Sequence, residues 1–142
     1  MHPNPKQNGL RRRLVLLAAV STPASSGQAA SAVTLAEAMR RAEALRTQAM
    51  ADGDQAFGAV VWRGDRIVGA APSRVVTAND PTAHAEMEAI RDAARQLRTR
   101  DLAGCVLVST SRPCRMCEAA AAWAGISRMV FGESLTDAGP PR

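Results

Sequence analysis

Aromatic residues are almost absent from this 142-residue chain, which contains two phenylalanines, two tryptophans and no tyrosine. Proteins that hold single-stranded nucleic acid stack its bases on exposed aromatic rings. The chain therefore has few of the side chains from which such a surface is built. Hydrophobic residues nevertheless make up 46% of the sequence, which is enough for one domain with a buried core.

Cysteine is also scarce, since the chain has only Cys105, Cys114 and Cys117. An odd number of cysteines argues against a closed disulfide framework. Cys114 and Cys117 form a C-x-x-C pair, which is typical of metal binding or of thioredoxin-like redox chemistry. Cys105 opens an apolar run and is expected to be a small buried hydrophobic residue.

No hydrophobic run is long enough to cross a bilayer, because the apolar stretch at residues 14–20 falls well short of the about 20 residues required. This stretch follows the basic residues 11–13 and precedes a small-residue site at 30–32, an order typical of a secretory signal. The arginines at 11–13, directly before the apolar stretch, resemble a twin-arginine export signal. We therefore predict a signal peptide over residues 1–32, with no stable membrane anchor after cleavage. An alanine-rich basic extension is the alternative.

The location of the protein depends on that signal. We expect a periplasmic or extracellular protein if the signal is used and a cytoplasmic one otherwise. Cleavage would also change the charge, because four of the 18 basic residues and none of the 13 acidic residues precede residue 33. The predicted mature domain, residues 33–142, is then nearly neutral and lacks the positive excess expected of a protein that grips tRNA or DNA. A small-molecule substrate fits better than nucleic acid.

Hydrophobic periodicity predicts the secondary structure. The capping box at 34–37 begins a first helix, and two strands at 57–62 and 67–71 form a hairpin. A second helix, capped by Asp80, follows the hairpin. The chain then continues with a strand at 105–108, a helix at 114–124 that includes a buried Trp123, and a strand at 126–131. Strands joined through helices pair in parallel, which predicts an α/β fold, a three-layer α/β/α sandwich with a mixed sheet.

Four residues at helix starts indicate a metal site. His84 and Glu86 open the second helix, and Cys114 and Cys117 share the first turn of the third, where the helix dipole favours thiolates. One imidazole and two thiolates are three zinc ligands, so we predict one Zn²⁺ per chain with its fourth position left to water. Glu86 is placed to carry protons as the catalytic residue. A redox pair would leave His84 and Glu86 without a function.

Two segments, "DPTAHAE" at 80–86 and "PCRMC" at 113–117, resemble the cytidine and deoxycytidylate deaminase superfamily, in its guanine deaminase and tRNA adenosine deaminase branch. The similarity extends over residues 55–132. It implies zinc-dependent hydrolytic removal of an amine from a nucleobase or nucleoside, a purine such as guanine being favoured. The alternatives are a tRNA adenosine deaminase and a truncated zinc-binding module without activity.

The resemblance also implies substrate contacts and departures from the family pattern. Ser73 stands where relatives have an asparagine that binds the substrate, the peptide N–H near Ala85 helps to hold the base, and Asn79 is similar to guanine deaminases. Relatives continue with a fifth parallel strand and a C-terminal helix, and the tail "ESLTDAGPPR" is predicted to supply neither. An uncovered sheet edge favours association, so we expect a homodimer.

Overall fold

Three helices and five strands form residues 31–142, the part of the chain that the computed structural model describes. The helices are α1 (Leu35–Ala51), α2 (Ala85–Leu97) and α3 (Arg115–Trp123), and the strands are β1 (Gly58–Arg63), β2 (Arg66–Pro72), β3 (Val106–Ser109), β4 (Arg128–Phe131) and β5 (Thr136–Gly139). The predicted signal peptide lies outside this part except for its last two residues, and it stays a prediction. None of the helices described here has the length and apolar character that a membrane crossing requires.

The strands form one mixed sheet in the order β2-β1-β3-β4-β5. Strand β1 runs antiparallel to both β2 and β3, whereas β3 and β4 are parallel and are connected through α3. The hairpin and the parallel pair are those predicted from the sequence. The parallel pair matters for the site, because α3 starts just beyond the carboxyl end of β3.

Helices cover both faces of the sheet, so the predicted three layers are confirmed. Alternate residues of the central strands pack on opposite sides, as expected for extended chain. Val60 and Val108 belong to the core beneath α1, whereas Val61 and Leu107 belong to the core shared with α2 and α3.

Two glycines let helices lie directly on strands. A Cβ atom built on Gly58 would lie 2.1 Å from the carbonyl oxygen of Ala42 in α1, and one on Gly69 would lie 2.5 Å from that of Ala89 in α2. Any side chain at either position would force the helix away from the sheet. These contacts fix α1 and α2 on opposite faces of the β1–β2 hairpin.

The prediction that the tail supplies no fifth strand is wrong, although the strand it forms is antiparallel and not the parallel one that the resemblance implies. Strand β5 pairs antiparallel with β4 and is joined to it by a tight turn in which Gly132 and Leu135 have φ of 71° and 52°. Arg128 and Asp137 form an ion pair of 2.8 Å across the two strands. An edge strand that is largely exposed needs no apolar run, so its sequence looks like a polar tail. Since β5 covers the edge of β4, that edge no longer argues for a dimer.

Trp123 also differs from its prediction as a core residue. It is the last residue of α3 and is 89% exposed. The buried stripe of α3 consists of Cys117 and Ala121, and Trp123 lies off it. At two positions beyond Ala121, its side chain points away from the sheet.

Candidate metal centre and active site

Two helix starts meet in this structure, and each is capped by a predicted metal ligand. Helix α2 begins at Ala85 with His84 as its N-cap, and α3 begins at Arg115 with Cys114 as its N-cap. Neither cap side chain bonds to the backbone of its own helix. A cap of the Ser or Asp kind would do so. The imidazole and the thiol therefore face each other.

The start of α2 lies four residues beyond the predicted one. Asp80 is not the N-cap, because its carboxylate accepts hydrogen bonds from the backbone N–H and the hydroxyl of Thr82, both at 2.8 Å, in a separate turn. This turn ends just before the helix. The shift places His84 at the cap and Glu86 in the first turn, so that both side chains lie off the helix N-terminus.

The three predicted ligands form a nearly equilateral triangle. The Nδ1 atom of His84 lies 3.7 Å from the Sγ atoms of both Cys114 and Cys117, and the two Sγ atoms are 3.7 Å apart. Tetrahedral zinc with ordinary bond lengths would separate two sulfurs by about 3.8 Å and a sulfur from a nitrogen by about 3.6 Å. The donor set thus fits zinc in both chemistry and size. Among the described residues, the group of mutually close candidate ligands consists of these three.

Burial in the cluster is graded from one side to the other. Cys117 is fully buried, His84 is half-buried and Cys114 is exposed, so one side of the triangle opens to solvent. Burial raises the pKa of the Cys117 thiol, and the neighbouring Glu86 and Cys114 raise it further. The helix dipole was expected to lower this pKa, and the burial of the thiol acts in the opposite direction. A divalent cation would reverse the balance and hold the thiolate.

Glu86 lies beside the cluster and outside the ligand triangle. Its side chain is only 5% exposed, and its Oε2 atom lies 3.8 Å from the Sγ atom of Cys117. Its Oε1 atom accepts a hydrogen bond of 2.8 Å from the hydroxyl of Ser109. A buried carboxylate next to a metal position is placed to exchange protons with a water bound to the metal.

Sequence reasoning did not identify Ser109, although a signal was present. Ser109 ends the otherwise apolar strand β3 and lies two residues after Leu107, which faces α2 and α3. Residues two apart on a strand share a face. A hydroxyl in that position must therefore point towards the start of α2.

Ser73, a predicted substrate-binding residue, is engaged elsewhere in this structure. It is 2% exposed, and its hydroxyl donates a 2.8 Å hydrogen bond to Asp54. Asp54 also accepts hydrogen bonds from the backbone N–H groups of Gln55, Val76 and Thr77 and from the Thr77 hydroxyl. This carboxylate, which the sequence analysis also missed, fastens the loop before β1 to the loop after β2.

The pKa of Asp54 reflects these contacts. Partial burial raises the pKa of the carboxyl, but the hydrogen bonds from Thr77, Gln55 and Ser73 outweigh that effect and hold the pKa well below its ordinary value. Asp54 is thus an anion across the ordinary pH range. With its oxygens already accepting five hydrogen bonds, it serves the loops and has little capacity left for a substrate.

The other two predicted substrate residues lie on either side of His84. Ala85 is fully buried as the first residue of α2, where backbone N–H groups have no acceptor within the helix. Asn79 is exposed and has a left-handed φ of 49° in the preceding loop. The structure therefore brings Ala85 to the cluster, whereas the role of Asn79 stays a prediction.

A three-layer α/β/α sandwich that presents one histidine, two cysteines and an adjacent buried glutamate at two helix starts defines a mononuclear metal-site protein. The family follows from the sequence over nearly the whole described part. Residues 33–133 match the model of the cytidine and deoxycytidylate deaminase zinc-binding region, and the chain belongs to that family.

Similar proteins include a guanine deaminase and a tRNA-specific adenosine deaminase. The chain is 40% identical over 82 residues to a guanine deaminase of Bacillus subtilis. The aligned region covers 58% of this chain and 53% of that protein. It is 39% identical over 84 residues to a tRNA-specific adenosine deaminase of Aquifex aeolicus, covering 59% and 56% respectively. An X-ray structure of the guanine deaminase from Bacillus subtilis matches with a TM-score of 0.65 and 36% identity, over 70% of this chain and 63% of that one. The chain thus spans about half the length of the curated relatives it matches.

Proposed function

We propose that this protein is a zinc-dependent hydrolytic deaminase that releases ammonia from a purine base, with guanine as the favoured substrate. The observation that carries the proposal is the ligand triangle of His84, Cys114 and Cys117 with Glu86 beside it. Three protein ligands leave one zinc position for water, as in catalytic sites, whereas structural zinc sites use four.

The residues divide the chemistry among them. His84, Cys114 and Cys117 would hold the ion, which when bound lowers the pKa of a coordinated water towards neutrality. Glu86 would take one proton from the attacking water and deliver it to the ring nitrogen. It would then take the second proton from the hydroxyl group now on the ring carbon and deliver it to the amine, which leaves as ammonia as the C–N bond breaks. Its burial keeps bulk water from competing for that proton. The free N–H of Ala85 at the helix start supplies a donor for a polar group of the substrate.

Guanine is favoured over tRNA by the charge of the described domain. Residues 31–142 contain 14 arginines against 13 acidic residues, and five ion pairs within this part join arginines to acidic side chains. A tRNA-binding surface needs a local excess of positive charge. Ser73 stands where relatives have an asparagine that binds the substrate. A different free base or a nucleoside is therefore the main competing substrate within the proposed class.

The test is ammonia release by the purified protein after its zinc content has been measured. The panel consists of guanine, adenine, cytosine, their nucleosides and tRNA. We expect one zinc ion per chain and turnover of guanine. Turnover of tRNA adenosine alone would replace the proposed substrate, and zinc binding without turnover on any amine would identify a binding module.

Glu86→Ala is the variant that separates catalysis from metal binding. Because Glu86 lies outside the ligand triangle, we expect this variant to keep its zinc and to lose about 10²- to 10⁴-fold in kcat, the usual contribution of a general acid and base. Loss of zinc together with activity would show that Glu86 supports the metal and not the proton transfer.

We also propose that the protein forms a homodimer through the surface around Trp123. This ring is 89% exposed and adjoins a shallow cavity of about 360 Å³ whose lining includes Ile90, Ala94 and Leu102. Exposed tryptophans beside apolar depressions are typical of interface hot spots. Sedimentation should show a dimer that Trp123→Glu dissociates. Met50→Glu, which changes an exposed methionine on α1, should leave the dimer intact, and a monomeric wild-type protein would contradict the proposal.

Export remains a proposal that rests on the sequence of residues 1–32 alone. N-terminal sequencing of the protein from fractionated cells tests it. We expect a new terminus near residue 33 outside the cytoplasm. An intact Met1 in the cytoplasm would contradict export.

A further inference from the structure

Ser109 occupies a rigid position in the centre of the sheet. Its Cα is paired with Ala59 of β1 on one side and with Phe131 of β4 on the other. Its carbonyl oxygen accepts a 3.0 Å hydrogen bond from the N–H of Gly132, and the residue has no exposed surface. A side chain on such a strand is held in place far better than one on a loop.

The hydroxyl of Ser109 makes the two oxygens of Glu86 unequal. Oε1 accepts the 2.8 Å hydrogen bond from Ser109, whereas Oε2 lies 3.8 Å from the Sγ atom of Cys117, on the side of the metal cluster. A carboxylate anchored through one oxygen can turn only about that contact. Because Oε1 already accepts the hydrogen bond from Ser109, Oε2 is the oxygen that faces the metal position.

We propose that Ser109 is a positioning residue of the deaminase site, which fixes the Glu86 carboxylate so that Oε2 alone exchanges protons with the substrate and the attacking water. This inference rests on the proposed function. Ser109 acts through Glu86, since within residues 31–142 its hydroxyl is hydrogen-bonded to Glu86 and to none of the three metal ligands. Its loss should therefore change turnover and leave zinc binding unaltered.

The energetic reason is the burial of both groups. Without the Ser109 hydroxyl, a carboxylate oxygen that is shielded from water loses its hydrogen bond, and the carboxylate rotates to find another donor. Rotation moves Oε2 away from the metal position. Outer partners of active-site groups commonly contribute about 10- to 100-fold to activity, and we expect kcat to fall by that factor in Ser109→Ala with KM little changed.

The kinetic test compares Ser109→Ala, Ser109→Thr and the control Ser127→Ala on the base that the wild-type protein deaminates. Threonine keeps the hydroxyl and should restore most of kcat. Ser127 is exposed and its hydroxyl accepts a 2.9 Å hydrogen bond from Gly104, so its loss removes a hydrogen bond outside the site and should leave kcat unchanged. All three variants should retain one zinc ion. Wild-type kcat in Ser109→Ala would overturn the inference.

A stability cycle tests the contact without reference to activity. Ser109→Ala should lower the melting temperature of the wild-type protein. In Glu86→Ala the hydroxyl has no carboxylate to serve, so the same change should cost little or nothing there. Equal shifts in the two backgrounds would overturn the inference even if Ser109→Thr fails to fold.

The two sets of results separate the inference from the function on which it depends. An active wild-type protein whose Ser109→Ala variant is equally active overturns the positioning role alone. A zinc-loaded wild-type protein that deaminates nothing in the panel overturns the proposed function, and the positioning role falls with it. Reduced kcat, rescue by threonine and coupled stability together support both.

Discussion

The Nδ1 atom of His84 lies 3.7 Å from the Sγ atom of Cys114, and each of these residues is the N-cap of its helix. Both helices thus point their positive ends at one place, which suits negatively charged ligands and thiolates. The third ligand, Cys117, follows one turn later on α3 and shares the face of Cys114. Topology and helix geometry together bring His84 to two cysteines that lie 30 and 33 positions further along the chain.

Removing a ligand should abolish stoichiometric zinc binding. With only three protein ligands, Cys114→Ser leaves two, and we expect zinc affinity to fall by more than the about 10- to 100-fold that loss of an outer partner costs. Zinc content after dialysis and a competition titration with a chromogenic chelator measure the change. Cys105→Ala is the matched control, because Cys105 is a buried cysteine outside the cluster and its loss should leave one zinc ion bound. Full occupancy in Cys114→Ser would contradict the ligand assignment.

Removing the metal should leave the fold in place. The two hydrophobic cores pack the sheet against helices on both faces and include none of the three ligands, although Cys117 is itself buried. Small zinc domains that lack such cores unfold when the metal is removed. We expect a chelator to lower the melting temperature of the protein while the far-ultraviolet circular dichroism at room temperature is retained, and activity to return when zinc is added back. Loss of secondary structure on chelation would instead assign the ion a structural role.

Most of the helices and strands, and the candidate metal ligands, could be predicted from the periodicity and spacing of residues in the sequence. Apolar stripes placed the three helices and four of the strands, and the H-x-E and C-x-x-C motifs identified the ligands that the structure brings together. Strand β5 was not predicted, because an exposed edge strand has no apolar pattern. The start of α2 was misplaced because Asp80 and Pro81 satisfy the local rules for a helix start, whereas the chain forms a turn there and delays the helix until His84.

Contacts between distant parts of the chain could not be predicted from local patterns. The hydrogen bond from Ser109 to Glu86 joins residues 23 positions apart, and that from Ser73 to Asp54 joins residues 19 apart. Each depends on how a strand lies against a neighbouring element. A polar residue at the end of an apolar strand, such as Ser109, is a signal that a partner exists, but the partner is identified only by the fold.

Gly58→Ala should be the most disruptive of the glycine substitutions on the α1 side of the sheet. Its new methyl group would lie 2.1 Å from the carbonyl oxygen of Ala42 and 2.6 Å from the backbone nitrogen of Arg46, so α1 itself would have to move. Overpacking in a core costs about 1–3 kcal/mol when side chains can adjust, and a backbone contact should cost at least that much. Urea unfolding measures the loss.

Gly53→Ala is the control for the Gly58 prediction. Gly53 has a φ of 78° and open space around it, so the alanine pays only the about 1–2 kcal/mol of the left-handed conformation. Both variants should retain their zinc when folded, because neither glycine touches the cluster. A Gly58→Ala variant as stable as the wild-type protein would show that α1 packs less closely on β1 than in this structure.

The carboxylate of Asp54 should make the metal-free protein less stable to unfolding at low pH. Hydrogen bonds hold its pKa in the folded protein below the ordinary value of 3.8. The folded state therefore binds fewer protons here than the unfolded state, so the stabilisation is complete above that ordinary value and is lost as the pH falls below it. We expect Asp54→Asn to be less stable than the wild-type protein at about pH 7, because one amide oxygen cannot replace a carboxylate that accepts five hydrogen bonds. The difference should begin to shrink at about pH 3, because the unfolded wild-type chain takes up a proton at this carboxyl there while the folded protein still holds it ionised.

Urea unfolding of the two proteins across this range measures the difference directly, with a chelator present so that loss of zinc does not contribute. Asp52→Asn is the control, because Asp52 is exposed and its carboxylate accepts no hydrogen bond within residues 31–142. Its substitution should leave the pH dependence of the wild-type protein unchanged. If Asp54→Asn were destabilised equally at both ends of the range, the loops around Ser73 and Thr77 would depend on the shape of the side chain at position 54 and not on its charge.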